Sequence, residues 1–600
     1  MSQKKKLVNF YSISVFLLFF LCISVWPCKA QDCKVTTKSG PIVGTVIDVL
    51  DKKICKFLGV PFAKPPVGEL RFKKPEPIDP WTEPLDCTQK KPYCLQFKFN
   101  LSELGFDVAK ETEGREIVAG PIKILTEMTE LEASEDCLYM DIYSPIDTAA
   151  DKKYSMVVFI HEGMFVNGGA GIPSYDPSVL VARGDVIFGI PQYRLGCLGF
   201  LFSGTPSAPG NMGLWDQLEG VKWMKTNAES FGGNPESITL MGQDSGGWSV
   251  GYHTLSVAGE GFFQQAIMQS GSALNLFMLF GENSALYRFE RFVDITGCPL
   301  APKAENAEFR VATEETFKCL QSKTSDEMLA FQKTLMTGRK DVGCVPNEDK
   351  EFFGTNPFDK IKSGPFNAKA VLMGSNSNEG GIMYSSSMGD AAPMFKGEPK
   401  PLTLNDMINM IKEKSDGSGS SQMQMVMPMF YRGLNKDNPE EVRARSQQLI
   451  GDGLFVCPDQ LYVTGCAKVD NCKAYYYLFD HKPSNSLFAP WLEGSQHFDD
   501  VPFVFGKPLI MPDKYTPEEK DMSGKMIDMW LKFIKTGDPN LDKTGWKPNA
   551  GKSKGYMVIS GKAIKGAKGF PKNNCKDLSR YYGMGRSFLK SYNPDKKKES

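Results

Sequence analysis

The chain has 600 residues, 41% of them hydrophobic and 11% aromatic, with 70 basic and 70 acidic side chains. That apolar content supports a sizeable core, and the zero net charge excludes the bulk electrostatic footprint expected for nucleic acid or strongly acidic partners. Fifteen cysteines are many for a cytosolic enzyme and point to an oxidising compartment.

In chain order, Lys4, Lys5 and Lys6 precede an apolar stretch from Leu7 to Trp26, and Cys28-Lys29-Ala30 offers a small-residue cleavage site. Residues 1–30 therefore read as a secretory signal peptide, and the protein as secreted and extracellular. An uncleaved anchor is the alternative, but Asn9, Tyr11, Ser12 and Ser14 dilute the stretch, and no second segment has spanning length, so no stable membrane anchor is expected after cleavage. Residues 1–30 hold four lysines and no acid, so the remainder carries 66 basic against 70 acidic side chains, a net charge of −4. Residues 31–585 read as one domain and 586–600 as a polar C-terminal tail. Asn100-Leu101-Ser102 is a glycosylation sequon at Asn100.

Val35 to Leu50 alternates apolar and polar residues around glycines and predicts an antiparallel hairpin. Met156 to Ile160 and Val186 to Ile190 read as buried strands, and Leu214 to Glu229 as a helix with Leu214, Leu218, Val221 and Met224 on one side. Ser237 to Met241 is a strand that runs directly into Gly242. Strands alternating with helices predict an α/β fold with a mostly parallel central sheet and helices on both faces. The polar run from Asp416 to Ser421 reads as a surface loop.

The most informative stretch is Gly242-Gln243-Asp244-Ser245-Gly246, between that strand and a predicted helix. A strand, then Gly-x-Nuc-x-Gly, then a helix is the nucleophile elbow of α/β-hydrolases. The glycines let strand and helix pass closely, and the central residue is thrust out above the sheet. Here that residue is Asp244. Shifting the register to Ser245 fails, because the pattern would then need a glycine at Gln243.

The surrounding motifs resemble the type-B carboxylesterase family, which includes the cholinesterases, from about Val35 to Asn540. The resemblance is carried by Phe57-Leu58-Gly59-Val60-Pro61-Phe62-Ala63, Glu135-Asp136-Cys137-Leu138-Tyr139, Gly210-Asn211-Met212-Gly213-Leu214-Trp215-Asp216-Gln217, Phe231-Gly232-Gly233-Asn234-Pro235 and Thr536-Gly537-Asp538-Pro539-Asn540. It implies the α/β-hydrolase fold. It also implies that Glu379, in Asn376-Ser377-Asn378-Glu379-Gly380, stands at the acid position of a catalytic triad, and that His497, before Phe503-Val504-Phe505-Gly506, stands at the base position. The family's oxyanion run of glycines is matched by His161-Glu162-Gly163-Met164-Phe165, so Gly163, Met164 and Ser245 fall at the oxyanion-hole positions. Glu162 and Met164 stand where the family has glycine. Met164 restricts the backbone and takes up substrate space, and a carboxylate at Glu162 would oppose a developing oxyanion.

These departures change the expected chemistry. Acyl transfer needs a hydroxyl that the histidine deprotonates, and an aspartate offers none. Loss of the triad serine costs about 10⁶ in turnover. The expectation is a carboxylesterase-like protein without serine-esterase activity, acting as a binding or adhesion module. It would engage an apolar small molecule in the former acyl gorge or an extracellular protein partner. The alternative is an active hydrolase: a carboxylic ester hydrolase, or one of epoxide-hydrolase type with Asp244 as nucleophile, His497 activating water and Glu379 orienting it. Esterase action through Ser245 is disfavoured, because its hydroxyl is expected to point away from the cleft and pack at the helix start. His497 should hold its proton tightly between Asp244 and Glu379. A cholinesterase role is disfavoured, since no tryptophan lies between Cys94 and Cys137 to hold a quaternary ammonium.

The resemblance implies disulfides Cys94–Cys137 and Cys298–Cys319, and also Cys457–Cys575. Spacing alone offers Cys33–Cys55 and Cys466–Cys472. Cys87, Cys197 and Cys344 are left over, and an exposed thiol among them would allow a covalent homodimer. The four histidines lack ligand spacing and no glycine-rich phosphate loop is present, so no metal, cofactor or nucleic-acid partner is expected.

Overall fold

The computed structural model describes residues 33–97, 132–275, 278–337, 343–414, 431–541, 544–549 and 555–571, apart from 148, 150, 396 and 432, together with 123, 126, 127 and 575. The expected signal peptide, Asn100, the run from Asp416 to Ser421 and the 586–600 tail lie outside the described residues.

Among the described residues thirteen strands make one sheet: β1 (Cys33–Thr36), β2 (Pro41–Val49), β3 (Lys52–Pro61), β4 (Leu85–Asp86), β5 (Tyr139–Pro145), β6 (Tyr154–Ile160), β7 (Ile187–Pro191), β8 (Gly233–Gln243), β9 (Gln265–Gln269), β10 (Ala370–Asn376), β11 (Lys473–Phe479), β12 (Gly555–Ile559) and β13 (Ile564–Lys568). Their spatial order is β1-β2-β3-β5-β7-β6-β8-β9-β10-β11-β12-β13, with β4 beside β2. The run from β7 to β12 is parallel. Antiparallel pairs flank it on both sides, including the hairpin predicted at Val35 to Leu50.

The central strands carry apolar runs because both faces are covered. Along β6, Val157 and Phe159 enter one core while Met156, Val158 and Ile160 enter the other. This is the period-2 alternation of a strand buried on both sides. Helices α1 (Ser178–Gly184) and α5 (Pro517–Thr536) cover the first face with Val179, Leu180, Met526 and Trp530. Helices α2 (Met212–Asn227) and α3 (Ser245–Leu255) cover the second with Leu214, Val221 and Val250. A further helix, α4 (Cys457–Cys466), packs against β11 on the second side through Tyr462 and Val463. α5 opens with a reciprocal cap between Thr516 and Glu519, has Pro517 at its first turn, and ends at Gly537 in the left-handed region. Trp530 is completely buried, and truncating it to alanine would cost about 3–5 kcal/mol.

Among the described residues six disulfides are present: Cys33–Cys55, Cys94–Cys137, Cys197–Cys344, Cys298–Cys319, Cys457–Cys575 and Cys466–Cys472. This corrects the reading of the leftover cysteines. Cys197 and Cys344 pair with each other and Cys87 is free but buried, so none of the three offers an exposed thiol for a covalent dimer. Among the described residues no helix is long and apolar enough to cross a membrane.

Candidate functional site

Four chain segments meet at the carboxyl ends of neighbouring parallel strands, where α/β sheets commonly place ligands. β8 delivers Asp244, β6 delivers the run from His161 to Phe165, β10 delivers the turn with Glu379, and the stretch after β11 carries His497.

Asp244 stands between β8 and α3 with φ 52° and ψ −122°, a strained conformation for a residue with a side chain. The flanking glycines are sterically required. A Cβ on Gly242 would meet the Gly246 carbonyl, and one on Gly246 would meet the carbonyl of Ile160 at the end of β6. The Asp244 N–H donates to Gln269 O of β9 at 3.0 Å, which pins the turn to the sheet.

The structure brings Asp244, His497 and Glu379 together. His497 Nδ1 lies 2.6 Å from Glu379 Oε2, and its Nε2 lies 3.4 Å from Asp244 Oδ1, an ion-pair contact without hydrogen-bond alignment. All three side chains are buried. Burial opposes a charge on His497, but the carboxylates of Glu379 and then Asp244 outweigh it and hold the imidazolium up to about 10. Glu379 is fixed in turn by Ser270, whose hydroxyl donates to Oε1 at 2.7 Å, and by the Asn376 backbone N–H at 2.5 Å. Asp499 accepts the Gln496 N–H at 2.7 Å and so braces the loop that carries His497. Phe455 stacks on the imidazole, ring centroids 4.5 Å apart. Trp248, Phe165 and Phe498 extend this aromatic surround.

The other histidines have settled structural places. His161 stacks on Tyr193 at 4.3 Å, and burial lowers it to about 4. His253 contacts Gln217 Oε1 at 3.0 Å, and burial lowers it to about 3. His481 sits 2.9 Å from Glu519.

The oxyanion run departs from an open glycine loop. Gly163, Met164 and Phe165 all have positive φ, 114°, 54° and 63°, so Met164 adopts a glycine-like backbone despite its side chain. That side chain is 41% exposed, one of the few large apolar groups at the surface. Two expectations need correcting. Ser245 is more than packing at the helix start, because its Oγ accepts the Met164 N–H at 2.9 Å and so occupies a donor that an oxyanion would need. Glu162 is not a simple carboxylate. Burial raises it to about 8, with the Tyr175 hydroxyl opposing the shift and Asp244 adding repulsion. At neutral pH it is largely the uncharged acid, so it opposes an oxyanion less than its formal charge implies.

Ser270 and Phe455 carried no signal in the sequence. Asn376 lay inside the acid-turn motif, and Asp500 three residues after His497, without an assigned role. Asp500 accepts from Gln269 Nε2, Tyr477 Oη and Asn376 Nδ2 at 2.8, 2.9 and 3.2 Å and ties three strand ends together. Most of the stretch between Cys94 and Cys137 lies outside the described residues.

Comparison with known proteins agrees with this geometry. The profile of the Carboxylesterase family matches residues 31–576. The acetylcholinesterase of Bungarus fasciatus is 33% identical over 533 residues, 88% of this chain and 82% of that protein. The cholinesterase of Mus musculus is 31% identical over 563 residues, 91% of this chain and 86% of the relative. The acetylcholinesterase of Leptinotarsa decemlineata is 31% identical over 577 residues, covering 89% and 86%. With an elbow, an acid turn and a histidine loop at the ends of one parallel sheet, and a profile match over nearly its whole length, the chain belongs to the carboxylesterase family.

Proposed function

We propose that this chain is a secreted carboxylesterase-fold protein without serine-esterase activity, which acts by binding: it takes an apolar ligand in the former gorge or serves as an adhesion module for an extracellular protein. One observation carries the reading. The group at the elbow tip is a carboxylate already paired with a charged His497, where an esterase needs a hydroxyl beside a neutral imidazole. The Ser245 hydroxyl on the Met164 N–H supports it, because one oxyanion donor is engaged before any substrate arrives. The relatives above are named as cholinesterases, and the aspartate at the elbow tip of this chain argues against serine-ester hydrolysis of that kind. The six disulfides fit an extracellular setting.

The test is hydrolysis of a short-chain aryl ester by wild type beside Asp244→Ser and His497→Ala. The expected result is no turnover by wild type above the His497→Ala background. Robust wild-type turnover that disappears in His497→Ala overturns the proposal.

A second reading is favoured by the contact between Asp244 Oδ1 and His497 Nε2. In it the carboxylate attacks an epoxide carbon and forms an alkyl ester, and the opened ring oxygen takes the His497 proton. Neutral His497 then deprotonates a water, which cleaves the ester, releases a diol and restores both groups. An alkyl adduct on Asp244, found by mass spectrometry after exposure to epoxides, supports this reading. An unmodified peptide across a panel of epoxides rejects it.

A further inference from the structure

Charge is distributed unevenly in this neutral chain. Residues 543–576 contain nine lysines and no aspartate or glutamate, so the rest of the chain carries −9. Much of this stretch forms the antiparallel hairpin β12–β13 at one end of the sheet, and the outer edge of β13 has no strand partner among the described residues. Lys547, Lys562, Lys565 and Lys568 are exposed, as is Lys473 at the start of β11. None of these five ammonium groups meets a carboxylate within ion-pair distance among the described residues.

Backbone register draws them into one band. Lys568 lies opposite Gly555. Asn549, two residues after Lys547, grips that glycine through Gly555 N–H to Oδ1 at 3.1 Å and Nδ2 to Gly555 O at 3.0 Å. Asn549 also bridges to Ala474, the neighbour of Lys473. From Ile564 to Lys568 the edge runs about 13 Å, with Lys565 and Lys568 on alternate sides of it and Lys562 in the turn before it. Asp480 and Asp538 flank the band, and the Asp538 carboxylate is occupied by Asn540.

Lysines do blunt a free strand edge. Nine lysines without a single acid over residues 543–576 go beyond what that protection asks for, and four of them, on or beside the hairpin, are exposed. We propose that this hairpin is a docking surface for a linear sulfated polysaccharide, lying along the β13 edge with its sulfates on the lysines and the unpaired edge N–H groups. Charge complementarity and length point to an extended polyanion. The six disulfides fit an extracellular setting, where polysaccharides of this kind are met. A lipid surface fits less well, because none of the exposed large apolar residues, Leu50, Val67, Met164, Val257, Val311 and Ile510, belongs to the hairpin. Nucleic acid fits less well because single-stranded sites add exposed aromatic platforms, and Tyr556 and Phe570 are partly buried.

The test is salt elution of the full-length secreted protein from immobilised heparin, beside two variants. One carries Lys547→Gln, Lys562→Gln, Lys565→Gln and Lys568→Gln. The other removes the same charge elsewhere, with Lys53→Gln, Lys318→Gln, Lys362→Gln and Lys525→Gln. Wild type and the second variant should be retained at about 0.15 M salt. The first should lose affinity by about tenfold or more while keeping its near-ultraviolet circular dichroism. Flow-through of wild type, equal losses in both variants, or tighter binding to DNA or phosphatidylserine vesicles than to heparin would each overturn the proposal.

Discussion

Replacing Asp244 with asparagine keeps the shape of the elbow tip and removes one of the two carboxylates that hold the charge on His497. Coulomb's law at the 3.4 Å separation gives about 1 kcal/mol in a water-like medium and about 5 kcal/mol at an effective dielectric constant of ~20. The site is buried but lined by hydrogen-bonded polar groups, so a drop on the order of 2 pH units in the His497 titration midpoint is expected on Asp244→Asn. The chain has four histidines, and burial holds His161 and His253 at about 4 and about 3, so histidine-labelled NMR can follow His497 with little overlap. In wild type the ring should stay protonated until the pH approaches about 10. The sign of the stability effect follows. A proton held more tightly in the folded state stabilises fully below the unfolded value near 6.5, and this contribution fades as pH rises through about 10. The melting temperature of wild type should therefore fall more between pH 7 and pH 10 than that of Asp244→Asn. A wild-type His497 that titrates at or below 6.5, or a curve unchanged by the substitution, would refute the reasoning.

Other consequences can be checked separately. Asp244→Ser alone should give weak aryl-esterase activity, and adding Ser245→Ala and Met164→Gly, which frees and relaxes the oxyanion run, should raise kcat by about 10²–10³; equal rates would show that the Met164–Ser245 contact does not matter. Arg194 pairs with buried Asp216 through Nε and Nη2 at 2.8 and 2.7 Å, so Arg194→Met should cost about 3–5 kcal/mol in denaturant unfolding by leaving a buried carboxylate alone. At Glu519 burial disfavours the charge, but donors from His481, Ser484 and Thr516 prevail and hold it down to about 2. A depressed carboxylate stabilises above its unfolded value and loses this as pH falls, so Glu519→Gln should lower the melting temperature at pH 7, with the gap to wild type closing between about pH 4 and pH 2.

Much of the candidate site was legible because its signals are local. The elbow reveals itself through Gly242 and Gly246, whose missing side chains are demanded by the close passage of Ile160 and of the helix itself. Glu379 and His497 sit in short motifs for the same reason, since each turn at the end of a strand has its own steric requirements. The unbroken apolar run from Met156 to Ile160 marked a strand buried on both faces, although the pattern alone did not set the strand order. The hairpin β12–β13 escaped notice because its lysines are spaced singly and form a band only once register sets them beside Lys473.

The sequence by itself thus determined the elbow, the identity of the residue at its tip and the family to which the chain belongs. Chain folding alone decided what those residues do to one another. Ser245 reaches the Met164 N–H across 81 residues, Ser270 reaches Glu379 across 109, and Cys197 finds Cys344 across 147. Burial of Glu162, which turns a formal charge into an acid, is likewise a property of the packed site. Local patterns report sterics within a few residues, whereas protonation and long-range pairing depend on which distant groups packing brings within a few ångströms and how much water it leaves there.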